Sequence, residues 1–349
     1  MTRIPSLPTE LPRALGYHWP AEWEPHAATW LAWPRKAESW PGIFERIPAA
    51  YARLVQAIAR FEPVHILAAE ETAWAQTREL LETCSNVHVY RIPTDDSWIR
   101  DFGPLFLRSL HGTCDAIADF RYNAWGGKYP PWQNDDQATA VITEAVGARR
   151  FATSIVLEGG SIEGDGQGTV MTTSRCLLDP RRNPGVTRDQ AERWFADYLG
   201  ATRVLWVDYG ELEGDDTDGH IDQLVRFANP QTLLAAVAQD SSDPNHEPLS
   251  EMQAQLRTFS DRHGRPYEIV ALPIPRRASF EDQRLPASYC NFYLVNGGVI
   301  MPTFDEPEDD KARQILAQVF PDREVQPVPC RDLVWGLGAV HCLTQQQPR

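Results

Sequence analysis

The stretch that decides the fold runs from Ser161 to Asp208: "SIEGDGQGTVMTTSRCLLDPRRNPG" (161–185), "TRDQAERWFADYLG" (187–200) and "TRVLWVD" (202–208). The first piece reads as two short strands joined by a glycine-rich turn and followed by a second turn at Pro-Gly. The second has apolar residues at helical spacing, and the third is a β-branched and aromatic run. The order strand–strand–helix–strand recurs downstream. "HIDQLVRFANPQTLLAAVA" (220–238), a helix around "PLSEMQAQLRTFSDRHG" (248–264) and "YEIVALPI" (267–274) repeat it. So do "SYCNFYLVNGGVIMPTF" (288–304), "DDKARQILAQVF" (309–320) and "REVQPVP" (323–329). Upstream, "ATWLAWP" (28–34), "ERIPAAYARLVQAIARF" (45–61) and "VHILAA" (64–69) form an abbreviated copy, and "TAWAQTRELLETC" (72–84) with "VHVYRIP" (87–93) adds a helix–strand pair. The total is about five units of a pseudosymmetric α/β chain. Pattern alone leaves an ordinary α/β sheet equally open. No Pro/Gly/Ser linker or charge block divides the sequence, so one domain over 1–349 is expected.

The composition excludes several classes. With 349 residues, 42% of them hydrophobic, and 12 Trp, 13 Phe and 10 Tyr, the chain can bury a large core. Its net charge of −15 and lack of a basic stripe argue against a nucleic-acid partner. An acidic excess suits attraction of small cations. No apolar run reaches the roughly 18 residues of a membrane span, and prolines occupy the N-terminal stretch where a signal peptide would be apolar. A cytoplasmic protein is expected. The cysteines at 84, 114, 176, 290, 330 and 342 are scattered, with no CxxC and no zinc-ligand spacing. They read as reduced thiols, and Cys84 and Cys176 as bystanders.

Four stretches carry chemistry: "DDSWIRDFGP" (95–104) with Asp101, "VLEGGSIE" (156–163) with Glu158, "GDDTDGHIDQLVRF" (214–227) with His220 and Asp222, and "GAVHCLTQQ" (338–346) with Cys342. If His220 and Asp222 lie in a strand, their side chains share a face. The same rule turns His341 away from Cys342 and makes it a structural histidine rather than a base. The acidic 214–218 run does not fit an EF-hand loop, and "EGDGQGTV" (163–170) lacks the Lys-Ser/Thr of a phosphate loop. A Cys, a His and three carboxylates at element ends suit an activated thiol acting on a cationic substrate with many N–H donors.

Seven motifs in order, "WPAEWEPHAATWLAWP", "DDSWIRDFGP", "YNAWGGKY", "EGGSIEGDGQGT", "GDDTDGHID", "LPASYCNFYLVNGG" and "HCLTQQQP", resemble the agmatine deiminase family. This family is similar to bacterial peptidylarginine deiminases and belongs to the guanidine-modifying (pentein) superfamily. The resemblance implies five ββαβ modules around a pseudo-fivefold axis, an α/β propeller. It also implies a cysteine-dependent deiminase that hydrolyses agmatine to N-carbamoylputrescine and ammonia through a thiouronium intermediate, without metal or organic cofactor. Cys342 is then the nucleophile, His220 the acid and base, Asp101 and Asp222 the guanidinium clamp, and Glu158 the carboxylate that orients His220. Trp98, Asp216 and Asn123 are expected to bind substrate, Trp98 as a channel wall and Asp216 at the distal amine. The partner is a small guanidino cation, with further copies of the chain left open. Three departures from the family pattern stand out: Leu337 and Ala339 in "GLGAVHC", Glu163 after "GGSI", and Asp218 in "DTDGH".

Three other readings compete. One is a deiminase of arginine or arginyl peptides, or an amidinotransferase, on the same scaffold. Another is a metal-dependent hydrolase using His220, Asp222 and the 214–218 carboxylates. The last is a catalytically silent binding protein.

Overall fold

A computed structural model describes residues 10–276, 278–280 and 283–349. Residues 1–9, part of the proline-bearing N-terminal stretch, lie outside the described residues. The strands in chain order are β1 (His26–Ala32), β2 (Val64–Leu67), β3 (Val87–Tyr90), β4 (Leu105–Leu107), β5 (Ala116–Arg121), β6 (Arg149–Val156), β7 (Ile162–Gly164), β8 (Thr169–Thr173) and β9 (Arg203–Val207). They continue with β10 (Val225–Asn229), β11 (Thr232–Val237), β12 (Glu268–Pro273), β13 (Ser279–Phe280), β14 (Gln283–Arg284), β15 (Tyr293–Val295), β16 (Gly298–Thr303), β17 (Glu324–Pro329) and β18 (Gln345–Pro348). The longer helices are α1 (Ile47–Ala59), α2 (Glu71–Leu80), α3 (Gln133–Val146), α4 (Arg188–Leu199), α5 (His246–Leu256) and α6 (Glu308–Val319).

These elements form a mixed α/β fold. Among the described residues, four three-stranded sheets share one plan: an antiparallel hairpin, a helical crossover, and a third strand parallel to the second. They are β4-β5-β6, β7-β8-β9, β10-β11-β12 and β15-β16-β17, crossed over by α3, α4, α5 and α6. A fifth sheet, β18-β1-β2-β3, takes its antiparallel leading strand from residues 345–348. Central strands are buried and apolar, as in β11 with Leu233, Leu234, Ala235 and Ala236. The crossover helices are bounded locally. Thr187 and Gln190 form a reciprocal capping box at the start of α4, and Gly200 in the left-handed conformation ends it.

The expected units at 161–208, 220–274 and 288–329 are present. Two details differ. The pair at 72–93 is not a unit of its own, because α2 and β3 extend the first sheet. The remaining unit, β4-β5-α3-β6, lies in the stretch 105–156 that the sequence pattern above leaves unassigned. The polar tail "QQQP" is a strand because its glutamines find partners. Gln345 Nε2 donates to Pro104 O at 2.9 Å, Gln346 Oε1 accepts from Arg100 Nη1 at 2.8 Å, and Gln347 Oε1 accepts from Trp30 Nε1 at 2.9 Å.

Each leading strand is preceded by a short helical or hydrogen-bonded turn. The turns are Ile99–Phe102 before β4, Gly159–Ser161 before β7, Ile221–Gln223 before β10, Tyr289–Asn291 before β15, and 340–343 before β18. The five turns carry the polar groups of one site.

Candidate active site

Asp101, Asp222 and Cys342 lie in three of these turns, Glu158 and His220 directly before two of them, and all five are buried. His220 and Asp222 do not lie in a strand, as the i, i+2 argument assumed. His220 is extended and Asp222 belongs to the turn that follows. They converge at Gly160, where a Cβ would fall 2.7 Å from Asp101 Oδ1, 2.7 Å from His220 Nδ1 and 3.1 Å from Asp222 Oδ2. Only glycine fits there, and its N–H donates to Asp101 Oδ1 at 3.0 Å.

Glu158 holds the imidazole, with Oε2 3.2 Å from His220 Nε2. Behind it lies Arg182, a residue that the sequence presents only as part of a turn. Its Nε donates to both Glu158 oxygens at 2.9 and 2.7 Å, its Nη2 to Thr217 O at 2.8 Å, and its Nη1 to Asp218 at 2.9 Å. Burial opposes a charged Glu158, but Arg182 and His220 together hold its carboxyl below the ordinary range. Burial likewise opposes a charged His220, yet Asp101, Cys176 and Glu158 raise its pKa well above the usual value. These neighbours favour the imidazolium form. Cys176, read as a bystander from the sequence, touches this pair: its Sγ donates to Glu158 Oε2 at 3.5 Å.

Cys342 is held by Asn291, which no sequence motif singled out. Asn291 Nδ2 donates to Cys342 Sγ at 3.1 Å, while its Oδ1 accepts from the N–H groups of Ala339, His341 and Cys342 at 3.2, 3.0 and 3.3 Å. Asn291 occupies, in its own unit, the turn that supplies site residues elsewhere. Equivalence of position across the repeat was the signal that could have found it. The thiol Sγ is 3.7 Å from Asp222 Oδ2. Burial first, then the negative charges of Asp222 and Asp101, push the Cys342 pKa well above that of a free thiol.

His341 does not simply face away from Cys342, because both lie in a turn where strand alternation fails. Its Nδ1 sits 2.8 Å from Asp222 Oδ2, the same oxygen that faces the thiol, and its Nε2 2.8 Å from Glu22 Oε2. Both nitrogens are engaged by carboxylates, so the ring is structural for this reason. Glu22 continues into Arg226 Nη2 at 2.9 Å, and Arg226 Nε meets Glu163 at 3.1 Å. The departure at Glu163 thus belongs to a buried ion-pair network.

Asp101 is the least settled carboxylate electrostatically. Burial, opposed by His220 and reinforced by the like charges of Asp222 and Glu158, raises its pKa to about 6. Trp125 Nε1 donates to its Oδ2 at 2.9 Å. That indole is delivered by an uncommon device: Ala124, Trp125, Gly126 and Gly127 all have positive φ, giving a left-handed turn. The two non-glycine residues in it cost about 1–2 kcal/mol each, a strain typical of functional sites. Asn123 caps this turn instead of lining the cavity. Its Oδ1 accepts from Gly126 N at 2.9 Å and its Nδ2 donates to Arg181 O at 3.0 Å.

A cavity of about 260 Å³ leads to Cys342, lined among others by Trp98, Asp101, Trp125, Tyr129, Asp216 and Leu337. Trp98 stacks on Trp40 at 5.3 Å between ring centroids. The Asp216 carboxylate accepts from the Tyr129 hydroxyl, and burial raises its pKa. Among the described residues, Glu38, Asp96, Asp101 and Asp216 outnumber one lining cation, Lys36, which lies 3.7 Å from Asp96.

The metal reading meets a different geometry. Asp215 caps its own loop through Thr217 N and Gly219 N at 3.0 and 2.7 Å, and Asp218 is held by Lys128, Arg181 and Arg182 at 2.8, 2.9 and 2.9 Å. Among the described residues, the group with ligand atoms within 4.8 Å of one another is Glu158, Cys176 and His220. Arg182 occupies both oxygens of that Glu158, and a divalent ion would have to displace a buried guanidinium.

A buried thiol, an imidazole and two carboxylates thus meet around one point. The family model for Porphyromonas-type peptidyl-arginine deiminase matches residues 18–348, and the chain belongs to that family. An agmatine deiminase of Pseudomonas putida is 41% identical over 360 residues, covering 97% of each chain. Among solved structures, an agmatine deiminase of Enterococcus faecalis superposes with a TM-score of 0.90 at 29% identity, covering 100% of both chains. A variant of C. jejuni agmatine deiminase with substrate bound gives 0.86 at 28% identity, covering 95% of this chain and 96% of that one.

Proposed function

We propose that the protein hydrolyses agmatine to N-carbamoylputrescine and ammonia by covalent thiol catalysis. The observation that carries this reading is a pair of buried polar atoms. His220 Nδ1 and Asp222 Oδ1 find no hydrogen-bond partner among the described residues, and both belong to the cluster around Cys342. Buried orphan groups of this kind call for a ligand. A guanidinium offers N–H donors in a plane to two carboxylates, here Asp101 and Asp222.

In the free site the thiol and the imidazole are both protonated. A guanidinium against Cys342 offsets the charges of Asp101 and Asp222 and favours the thiolate, its proton leaving to solvent. Sulfur attacks the central carbon. His220 gives its proton to the departing nitrogen as the C–N bond breaks, releasing ammonia and leaving a thiouronium on Cys342. Neutral His220 then takes a proton from the water whose oxygen attacks the same carbon. Collapse expels the Cys342 thiolate, which takes up the proton of the new hydroxyl, and yields the neutral ureido product. Glu158 and Arg182 keep the imidazole oriented throughout.

The distal amine of agmatine is assigned to Asp216, with Trp98 along the channel. An acidic lining favours a dication over a zwitterion. We further read the five sheets as blades of a five-bladed propeller in one domain over 1–349, in a cytoplasmic protein that works with its substrate and, as an open alternative, as a homo-oligomer. The test is a ureido-product assay with agmatine, free arginine and a C-terminal arginyl peptide side by side. Agmatine should exceed arginine by about a hundredfold in kcat/KM, because an unpaired buried carboxylate is costly. Comparable rates on all three would defeat the agmatine assignment.

A further inference from the structure

The approach to Cys342 inverts the usual relation between glycine and backbone. Neither Gly336 nor Gly338 has a positive φ. They are glycines for lack of room: a Cβ at 336 would lie 2.7 Å from Trp40 Nε1, and one at 338 would lie 2.5 Å from Trp98 Cζ3 and 2.9 Å from Cys342 Cβ. Between them Leu337 takes φ 71° and ψ 9°, a conformation glycine adopts freely and leucine rarely. Leu337 is half-buried, packed at the edge of the core rather than inside it. Leu337 lines the cavity that leads to the thiol, with Trp98, Gln283 and Trp335.

A branched apolar side chain kept against its backbone preference, one residue before the Gly338 that abuts Cys342, has one use that fits its place. We propose that Leu337 determines substrate shape, giving the alkyl chain of the guanidine an apolar surface near its guanidinium and barring chains branched there. An unbranched methylene chain buries area against it, whereas a branch collides with it. The inference rests on the reading of the site as a guanidine deiminase.

The experiment uses Leu337→Ala and Leu337→Gly with two probes of the same formula, propylguanidine and isopropylguanidine. Each is measured as protection of Cys342 from iodoacetamide, so the readout needs no turnover. Ureido formation from agmatine is measured in parallel. The wild type should favour the linear probe by about tenfold or more, the range expected for one misplaced methyl. Both variants should bring the two probes to within about threefold. Alanine keeps the strained Cβ and loses only the wall, so a change confined to glycine would mean that Leu337 acts through loop geometry, and would overturn the proposal. Unchanged selectivity in both variants would also overturn it. Leu337→Gly should melt about 2 °C or more above Leu337→Ala as the strain is released, which separates selectivity from misfolding. If the wild type makes no ureido product from agmatine, the functional reading fails, while the protection ratios still decide the role of Leu337.

Discussion

Replacing Asp222 by Asn should move two properties of Cys342 in opposite directions. The thiol lies 3.7 Å from Asp222 Oδ2, and two unit charges at that separation repel by about 4 kcal/mol at an effective dielectric constant of about 20. The full value does not act on the thiolate. The same oxygen already faces His341 at 2.8 Å and the Asn291 amide at 3.4 Å. If roughly half survives, about 2 kcal/mol, removing the charge lowers the thiol pKa by more than one unit. At pH 8 the thiolate fraction in the free enzyme then rises about thirtyfold. Iodoacetamide modification of the Cys342 peptide, followed by mass spectrometry with half-buried Cys84 and Cys114 as internal references, should accelerate correspondingly. Turnover should fall by about a thousandfold, because the clamp on the guanidinium has lost one of its charges. A variant that melts like the wild type yet alkylates no faster would refute the idea that Asp222 suppresses the thiolate of the free site.

Asp101, with a pKa of about 6, should set the acid limb of kcat/KM. The clamp needs the carboxylate, so activity is lost as pH falls through 6, and the limb should disappear from the residual rate of Asp101→Asn. Arg182→Gln leaves a buried Glu158 without its cation, which should cost about 3–5 kcal/mol in denaturant unfolding and lower kcat more than it raises KM. Cys176→Ser should reduce kcat by less than about tenfold, since a hydroxyl can still donate to Glu158, whereas Cys84→Ser should leave the rate unchanged. Incubation with EDTA should leave the rate within error, and loss of activity restored by a divalent ion would point instead to metal at Glu158, Cys176 and His220.

That Asp101, Glu158, His220, Asp222 and Cys342 belong to one cluster was legible because each sits in a glycine-marked break between apolar runs, where a polar residue has no packing reason to be. Asn291 was not, since one amide inside "SYCNFYLV" carries no charge and disturbs no period. Its weight comes entirely from a cysteine 51 positions away. Arg182 was hidden for the opposite reason, as the second of two arginines in a polar turn, of which only one is buried. Side-chain direction was the least predictable property. Strand alternation was applied to 220–222 and 341–342, but both pairs lie where the chain turns before a strand begins.

The pairing of β18 with β1 also bears on how the molecule comes to be active. Trp30 and Gln347, joined by a hydrogen bond, are 317 positions apart, and only Leu343 and Thr344 lie between Cys342 and β18. Bringing such distant segments together costs chain entropy before any contact repays it. The backbone N–H of Arg100 donates to Cys342 O at 3.3 Å, so the thiol settles beside Asp101 only as this longest loop is closed. Sheets built from neighbouring segments can form earlier and hold four of the polar turns in readiness. Competence is thus tied to the most non-local event of folding, and a molecule whose other four sheets had formed would still lack its nucleophile.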